Sequence, residues 1–361
     1  MGNLLVLSDA NIHEILLNLT KPEIHTFKTA LSDCLRDFSI TAERTYQPPP
    51  AVTNRPEGQK CLFRPFTSPD SVGAKIIVQP APTSKAAGAL HGMIALCDAD
   101  GSPAGILNAE DVTGYRTALS ALIPYTWRRH GARIVVFGAG KQALWHLRLA
   151  LALRGDEITS IVVVNRTAVR AAALLDKVRE ENRSRWGSKA ELLHLDPAGS
   201  GYEERLRDHL AASDAIFCTS GATTPLFPAR SLALETRSRQ PYISAVGSWQ
   251  PDMIELDPEL LSQVIGRIAP GSKAGSLLVD DREGVLQHSG EAARSEIGAG
   301  SVVEIGEIVS LAERDEALLR WMEDGLLVYK SVGVGMMDLA ASNAILTIAR
   351  ERGIGTAIPQ F

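Results

Sequence analysis

Two cationic side chains in apolar settings and one glycine turn hold the residue types from which a reaction can be built. Lys75 lies in the apolar run Ala74-Lys-Ile-Ile-Val-Gln79, and Arg116 stands in Thr113-Gly-Tyr-Arg-Thr-Ala118. A lysine at the edge of an apolar strand can snorkel to water. Desolvated, it is instead a proton donor or a partner for a carboxylate. Residues 113–125 read as a helix, which puts Arg116 near its start. The helix dipole opposes a cation there, so its cost points to an anion close by.

The sharpest motif is Gly138-Ala-Gly-Lys-Gln-Ala143. It is G-x-G-x-x-A, directly after the apolar run 134–137 and directly before a helix. Gly138 permits the tight turn, Gly140 lets the backbone approach a pyrophosphate, and Ala143 is small enough for helix–strand packing. The helix N-terminus offers amides and a positive dipole end to phosphates. Ala139 and Gln142 belong to the same cofactor-binding turn. The next strand ends in Val164-Asn-Arg-Thr167, with no carboxylate for a ribose 2′-hydroxyl. Arg166 can face a 2′-phosphate while Asn165 and Thr167 donate to it, which favours NADPH. Thr219-Ser220 and Val246-Gly247 follow later strands and belong near the cofactor, at the carboxyl edge of the sheet. The histidines show no metal spacing and no G-x-S-x-G elbow is present, so no metal site and no serine hydrolase are expected.

The elements that must position these residues fall into two rhythms. Residues 4–7 form an apolar run, and Ser8 can cap a helix with Ile12, Ile15, Leu16 and Leu19 on one face. Thr20 and Glu23 make a capping box for a second helix reaching about residue 38. The four prolines of 46–56 exclude a central strand there. The pieces 74–79, 88–97 and 104–107, bounded by turn signals, predict an antiparallel sheet. From residue 133, apolar runs (134–137, 158–164, 191–195, 215–219, 242–246) alternate with helical or loop segments, which predicts a parallel sheet covered by helices. A strand at 325–331 and a last helix at 338–350 follow. The expected fold is α/β: a Rossmann-like domain at 126–319 and a discontinuous α+β domain from 1–125 and 320–361. Residues 266–275 read as a local insertion.

The chain has 361 residues, 45% apolar and 22% charged, with 37 basic against 42 acidic side chains and a net charge of −5. That balance argues against a nucleic-acid binder, and no apolar run reaches the ~18 residues of a membrane span. The opening segment carries Asp9, His13 and Glu14 where a signal peptide is apolar. Cys34, Cys61, Cys97 and Cys218 are scattered, as expected of reduced thiols in the cytosol.

Taken in order, these segments resemble the ornithine cyclodeaminase/mu-crystallin family. The resemblance is carried by Lys75, 113–118, 138–143, Asn165-Arg-Thr167, Ala245-Val-Gly-Ser-Trp-Gln-Pro-Asp-Met-Ile-Glu-Leu-Asp257, Val279-Asp280, Lys330-Ser-Val-Gly333 and Asp338. It covers nearly the whole chain. It implies a homodimer in which a discontinuous substrate/dimerisation domain carries a Rossmann domain. By position, Lys75 and Arg116 hold the substrate carboxylate, Lys75 also protonates the reacting nitrogen, and Thr117, Ser331, Val332 and Gly333 lie by the cofactor. Cyclodeaminases of the family carry an Asp base two residues after the glycine of the Val-Gly pair, where this chain has Trp249. Tryptophan cannot accept a proton, so the resemblance inclines to the mu-crystallin branch and to Trp249 as an apolar wall, or as plain core packing. A further carboxylate-binding arginine of many members is matched by Pro50; Arg64 is the foremost substitute, with Arg44 and Arg55 as others. The function expected is NADPH-dependent reduction of a cyclic imine. Amino-acid oxidation, a cyclodeaminase-like reaction or plain NADPH and small-ligand binding stand as alternatives.

Overall fold

The computed structural model describes residues 3–85, 90–267, 272–295, 297–311 and 315–361. Positions 268–271 of the expected insertion, and 88–89 of the expected strand, lie outside the described residues. Among the described residues the first six strands are β1 (Leu4–Leu7), β2 (Ala51–Asn54), β3 (Lys60–Thr67), β4 (Ser71–Gln79), β5 (His91–Asp98) and β6 (Pro103–Asn108). Eight follow: β7 (Arg133–Phe137), β8 (Ser160–Val164), β9 (Glu191–Leu195), β10 (Ala215–Cys218), β11 (Tyr242–Ala245), β12 (Leu277–Val279), β13 (Val302–Glu304) and β14 (Leu327–Lys330). The last is β15 (Thr356–Ile358).

The chain divides into two compact units, one of 1–116 with 334–361 and one of 117–333. The first unit holds a sheet of order β15-β1-β6-β5-β4-β3-β2. Strands β4 to β6 pair antiparallel, as expected; β2 and β3, which the sequence did not reveal, extend that pairing, and β1 joins β6 in parallel. The proline-rich segment supplies only the edge strand β2, exposed along its whole length, in the proline-free stretch between Pro50 and Pro56. The opening helices form where their caps place them. Ser8 accepts from the Asn11 amide, and Thr20 and Glu23 close the capping box that starts helix Lys21–Ile40. That helix buries Ile24, Phe27, Leu31, Leu35 and Phe38, a stripe at the 3.6-residue period. Each cap is worth about 1 kcal/mol, so the buried stripe supplies most of what holds the helix.

In the second unit every strand pair is parallel, in the order β13-β12-β14-β11-β10-β7-β8-β9. From β9 to β14 this is the doubly wound order 3-2-1-4-5-6, and the order reverses at β7 and β10. The unit boundaries differ from the expected 125/126 and 319/320 for two physical reasons. The helix Ala109–Trp127 crosses the first boundary. Its later residues pack in the second unit: the Tyr125 ring meets Phe217 edge-on at 5.6 Å, and the Tyr242 hydroxyl donates to the Ala121 carbonyl. The strand read at 325–331 does not return to the first sheet. It is β14, inserted between β11 and β12, fully buried and apolar up to Lys330. Strands β12 and β13, three residues each, are too short for the sequence rhythm to reveal. No helix among the described residues is long and apolar enough to cross a membrane.

Candidate active site

In the first unit, sheet register and two helices bring four charged side chains together. Lys75 on β4 lies directly opposite Arg64 on β3, on the sheet face that buries Phe66, Ile94 and Leu96. Helix Gly335–Arg352 places Asp338 in its first turn, where the dipole favours a carboxylate. Asp338 Oδ2 lies 2.6 Å from Lys75 Nζ, and Arg116 Nε donates to Oδ1 at 2.9 Å. Lys75, Arg116 and Asp338 are 1%, 4% and 0% exposed; Arg64 is half-buried. The approach of helix to strand depends on Gly335, since a Cβ there would stand 3.2 Å from the Pro65 carbonyl oxygen.

Arg116 is therefore not at a helix start. The helix begins at Ala109, two turns earlier, because Glu110 and Asp111 in its first turn suit the dipole. The dipole argument does not apply to Arg116. The anion it meets is Asp338, and its Nη1 is buried with no hydrogen-bond partner among the described residues.

Three cations surround a single buried carboxylate. Burial alone would raise the Asp338 pKa, but Arg116, Lys75 and Arg64 hold it below the ordinary range. Lys75 is also lowered from the value of an exposed lysine, down to about 7. Burial is the main cause, and the like charges of Arg116 and Arg64 add to it against the pull of Asp338. Such a group can hold or release a proton near neutrality, and the unfilled guanidinium nitrogen can take an anion.

In the second unit, the predicted cofactor residues line the carboxyl edge of adjacent strands β8, β7, β10, β11 and β14. Gly138 follows β7 with φ +115°, a left-handed conformation, and a Cβ there would stand 2.7 Å from Thr219 Oγ1. A Cβ at Gly140 would meet nothing within 4 Å, so that side of the turn is open. Gly140 begins helix Lys141–Arg154 without a side-chain cap, and Ala143 is fully buried. Open space at an uncapped helix N-terminus fits a pyrophosphate. Asn165 Nδ2 donates to the Thr167 carbonyl, while Arg166 and Thr167 are exposed at the end of β8. Thr219 donates to the Phe137 carbonyl through Oγ1 and its amide, joining the ends of β7 and β10. Thr117, predicted beside the cofactor, is buried in helix Ala109–Trp127. Trp249, half-buried, follows β11. No three His, Cys, Asp or Glu side chains gather to hold a metal among the described residues.

Sequence reasoning gave no role to a second charged network in this unit. Glu255 is fully buried and accepts from the amides of Ser220, Gly247 and Ser248 at 2.7, 2.8 and 3.2 Å. Glu291 Oε1 accepts from Ser248 Oγ at 2.5 Å and from the Glu255 amide at 2.8 Å. Lys330 donates to Ser248 Oγ at 2.9 Å and lies 3.8 Å from Glu291. Burial pushes Glu255 up to about 7, opposed by Lys330. Asp280 accepts from Ser331 Oγ, the Val332 amide and the Gly333 amide at 2.6, 3.1 and 2.7 Å. A signal was present. Glu255 sits between Ile254 and Leu256, Lys330 closes Leu327-Val-Tyr329, and Asp280 follows Leu277-Leu-Val279. Charges embedded in apolar runs must find buried partners.

Comparison with known proteins agrees with this fold. A family model described as shikimate/quinate 5-dehydrogenase matches residues 125–246. A Delta(1)-pyrroline-2-carboxylate reductase of Bacillus cereus is 27% identical over 337 residues, 90% of this chain and 92% of that protein. The ketimine reductase mu-crystallin of Mus musculus is 25% identical over 248 residues, 68% of this chain and 65% of that one. The solved Delta(1)-pyrroline-2-carboxylate reductase of Thermococcus litoralis, in complex with NADH and L-proline, shares the fold: TM-score 0.75 at 20% identity, over 98% of this chain and 99% of that one. With the motifs from Lys75 to Asp338 in order along a chain matched nearly end to end, this protein is similar to proteins of the ornithine cyclodeaminase/mu-crystallin family.

Proposed function

We propose that the protein is an NADPH-dependent cyclic imine reductase, an oxidoreductase that forms a CH–NH bond from C=N. The observation that carries this reading is a buried lysine shifted to about 7 beside an arginine with an unfilled nitrogen. The first unit serves as substrate-binding and dimerisation domain, and the second as nucleotide-binding domain. When bound, the reduced nicotinamide supplies a hydride to the imine carbon. Lys75 gives a proton to the imine nitrogen, which the two arriving electrons make basic, and is reprotonated from solvent. Arg116 Nη1 takes the substrate carboxylate, with Arg64 adding positive charge. Asp338 orients Lys75 and Arg116 and keeps the cluster from carrying three unbalanced cations. Trp249, where the family's cyclodeaminases hold a carboxylate, cannot activate water, so hydrolytic deamination is disfavoured.

Gly138, Ala139, Gly140, Gln142 and Ala143 would hold the pyrophosphate. Thr117, Thr219, Ser220, Val246, Gly247, Ser331, Val332 and Gly333 complete the dinucleotide site. Asn165, Arg166 and Thr167 would take the 2′-phosphate. Arg166→Ala should weaken NADPH by about 10–100-fold, the worth of charged hydrogen bonds, and leave NADH little changed. Fluorescence titration with both nucleotides checks this, and equal losses would remove the 2′-phosphate assignment.

In this reading the homodimer forms through the other face of the first sheet. Phe63, Ile76 and Met93 form one cross-strand row there, and Phe63, Val72 and Met93 are each 42% exposed. Apolar rows of this kind are what a second copy covers. Phe63→Asp combined with Met93→Asp should convert dimer to monomer in sedimentation velocity; an unchanged dimer would move the interface elsewhere. The four cysteines are unpaired, which fits the cytosol.

A further inference from the structure

Glu255 and Asp280 touch no reacting group in the reading above, yet each is fully buried and each gathers backbone amides. Glu255 collects those of Ser220 and of Gly247 and Ser248, just past β10 and β11. Asp280 collects those of Val332 and Gly333, just past β14, and the Ser331 hydroxyl with them. Strands β10, β11 and β14 are neighbours, so two carboxylates fasten three consecutive turns along one sheet edge. The fastening is close. A Cβ at Gly247 would stand 2.2 Å from the Ser220 carbonyl oxygen and 2.6 Å from Glu255 Oε1. Lys330 and Glu291 complete the anchor through Ser248 and the Glu255 amide. A buried carboxylate costs several kcal/mol of desolvation, which neutral side chains closing the same turns would avoid. What the charge adds is stronger, shorter hydrogen bonds and hence a stiffer turn.

Resting on the cofactor reading above, we propose that Glu255 and Asp280 are positioning residues for the nicotinamide half of the bound dinucleotide. They hold the 219–221, 246–248 and 331–333 turns in register with each other, whereas the glycine turn at 138–143 and Arg166 hold the pyrophosphate and adenosine end. The two halves of the cofactor are thus held by separable parts of the sheet edge.

The test uses the intact chain and four probes: NADPH and NADH, with 2′,5′-ADP and AMP as adenosine-end fragments. Glu255→Gln and Asp280→Asn should each weaken the preferred dinucleotide by about tenfold or more, the loss of charge-assisted bonds, and leave its fragment unchanged. Equal weakening of both probes, or of neither, overturns the proposal. Should either variant fold poorly, amide exchange on the wild type decides. The dinucleotide should slow exchange at the three turns and the fragment should not; equal slowing overturns the proposal. A wild-type chain that binds no dinucleotide overturns instead the cofactor reading on which this rests.

Discussion

Replacing Lys75 with methionine leaves the dinucleotide bound and slows imine reduction by about 10²–10⁴-fold, the range for removing a positioned general acid. Methionine keeps the stem's volume and removes only the ammonium, so the buried face of β4 stays filled. The pH profile supplies the sign. Burial lowers Lys75 to about 7, so the ammonium needed for reduction is lost as pH rises through that value. Reduction should slow above about 7, while amine oxidation, which needs the neutral amine as base, should slow below it. Lys75→Met should abolish both limbs. Steady-state rates in each direction from pH 5.5 to 9, beside nucleotide binding, check this. Turnover unchanged in the variant would take Lys75 out of the mechanism.

Asp338→Asn should be the most destabilising single change in the first unit. It leaves Lys75 and Arg116 buried at 1% and 4% exposure without their shared counter-charge. Breaking a buried ion pair from one side costs about 3–5 kcal/mol. The asparagine amide also turns N–H donors toward a cation. Lys75 then loses the attraction that supports its charge, so its pKa falls further and the limb of the rate profile moves below 7. The double variant Asp338→Asn with Lys75→Met should recover part of the lost stability, because one unpaired cation is gone. Denaturant unfolding of the four forms checks this. A single variant as stable as the parent would show that the cluster is solvated rather than buried.

The parts legible in the sequence were those with a local cause. The G-x-G-x-x-A turn announces itself because a tight turn, an open backbone and a packed helix each demand a small residue at a fixed offset. The capping boxes at Ser8 and Thr20 are equally local. The parts that were not legible depend on partners far along the chain. Arg116 and Asp338 are 222 residues apart, so no window contains both. The true helix start at Ala109 is hidden because residues 104–107 read as strand and only 113–125 as helix, with the stretch between them given to neither. Strand β14 was assigned to the first domain because its sequence cannot say which sheet it joins; its neighbours β11 and β12 decide that. Glu255, Asp280 and Lys330 were visible as charges in apolar surroundings, but their common task appears only once three strand ends lie side by side.

The most direct test of the central claim is nucleotide consumption with cyclic imines that differ only in a carboxylate. NADPH should be oxidised with five- or six-membered ketimine carboxylates. The same rings without the carboxylate should react about 10²-fold more slowly or worse, because Arg116 Nη1 is then left buried and unpaired. Firm NADPH binding with no oxidation by any of these imines would contradict it.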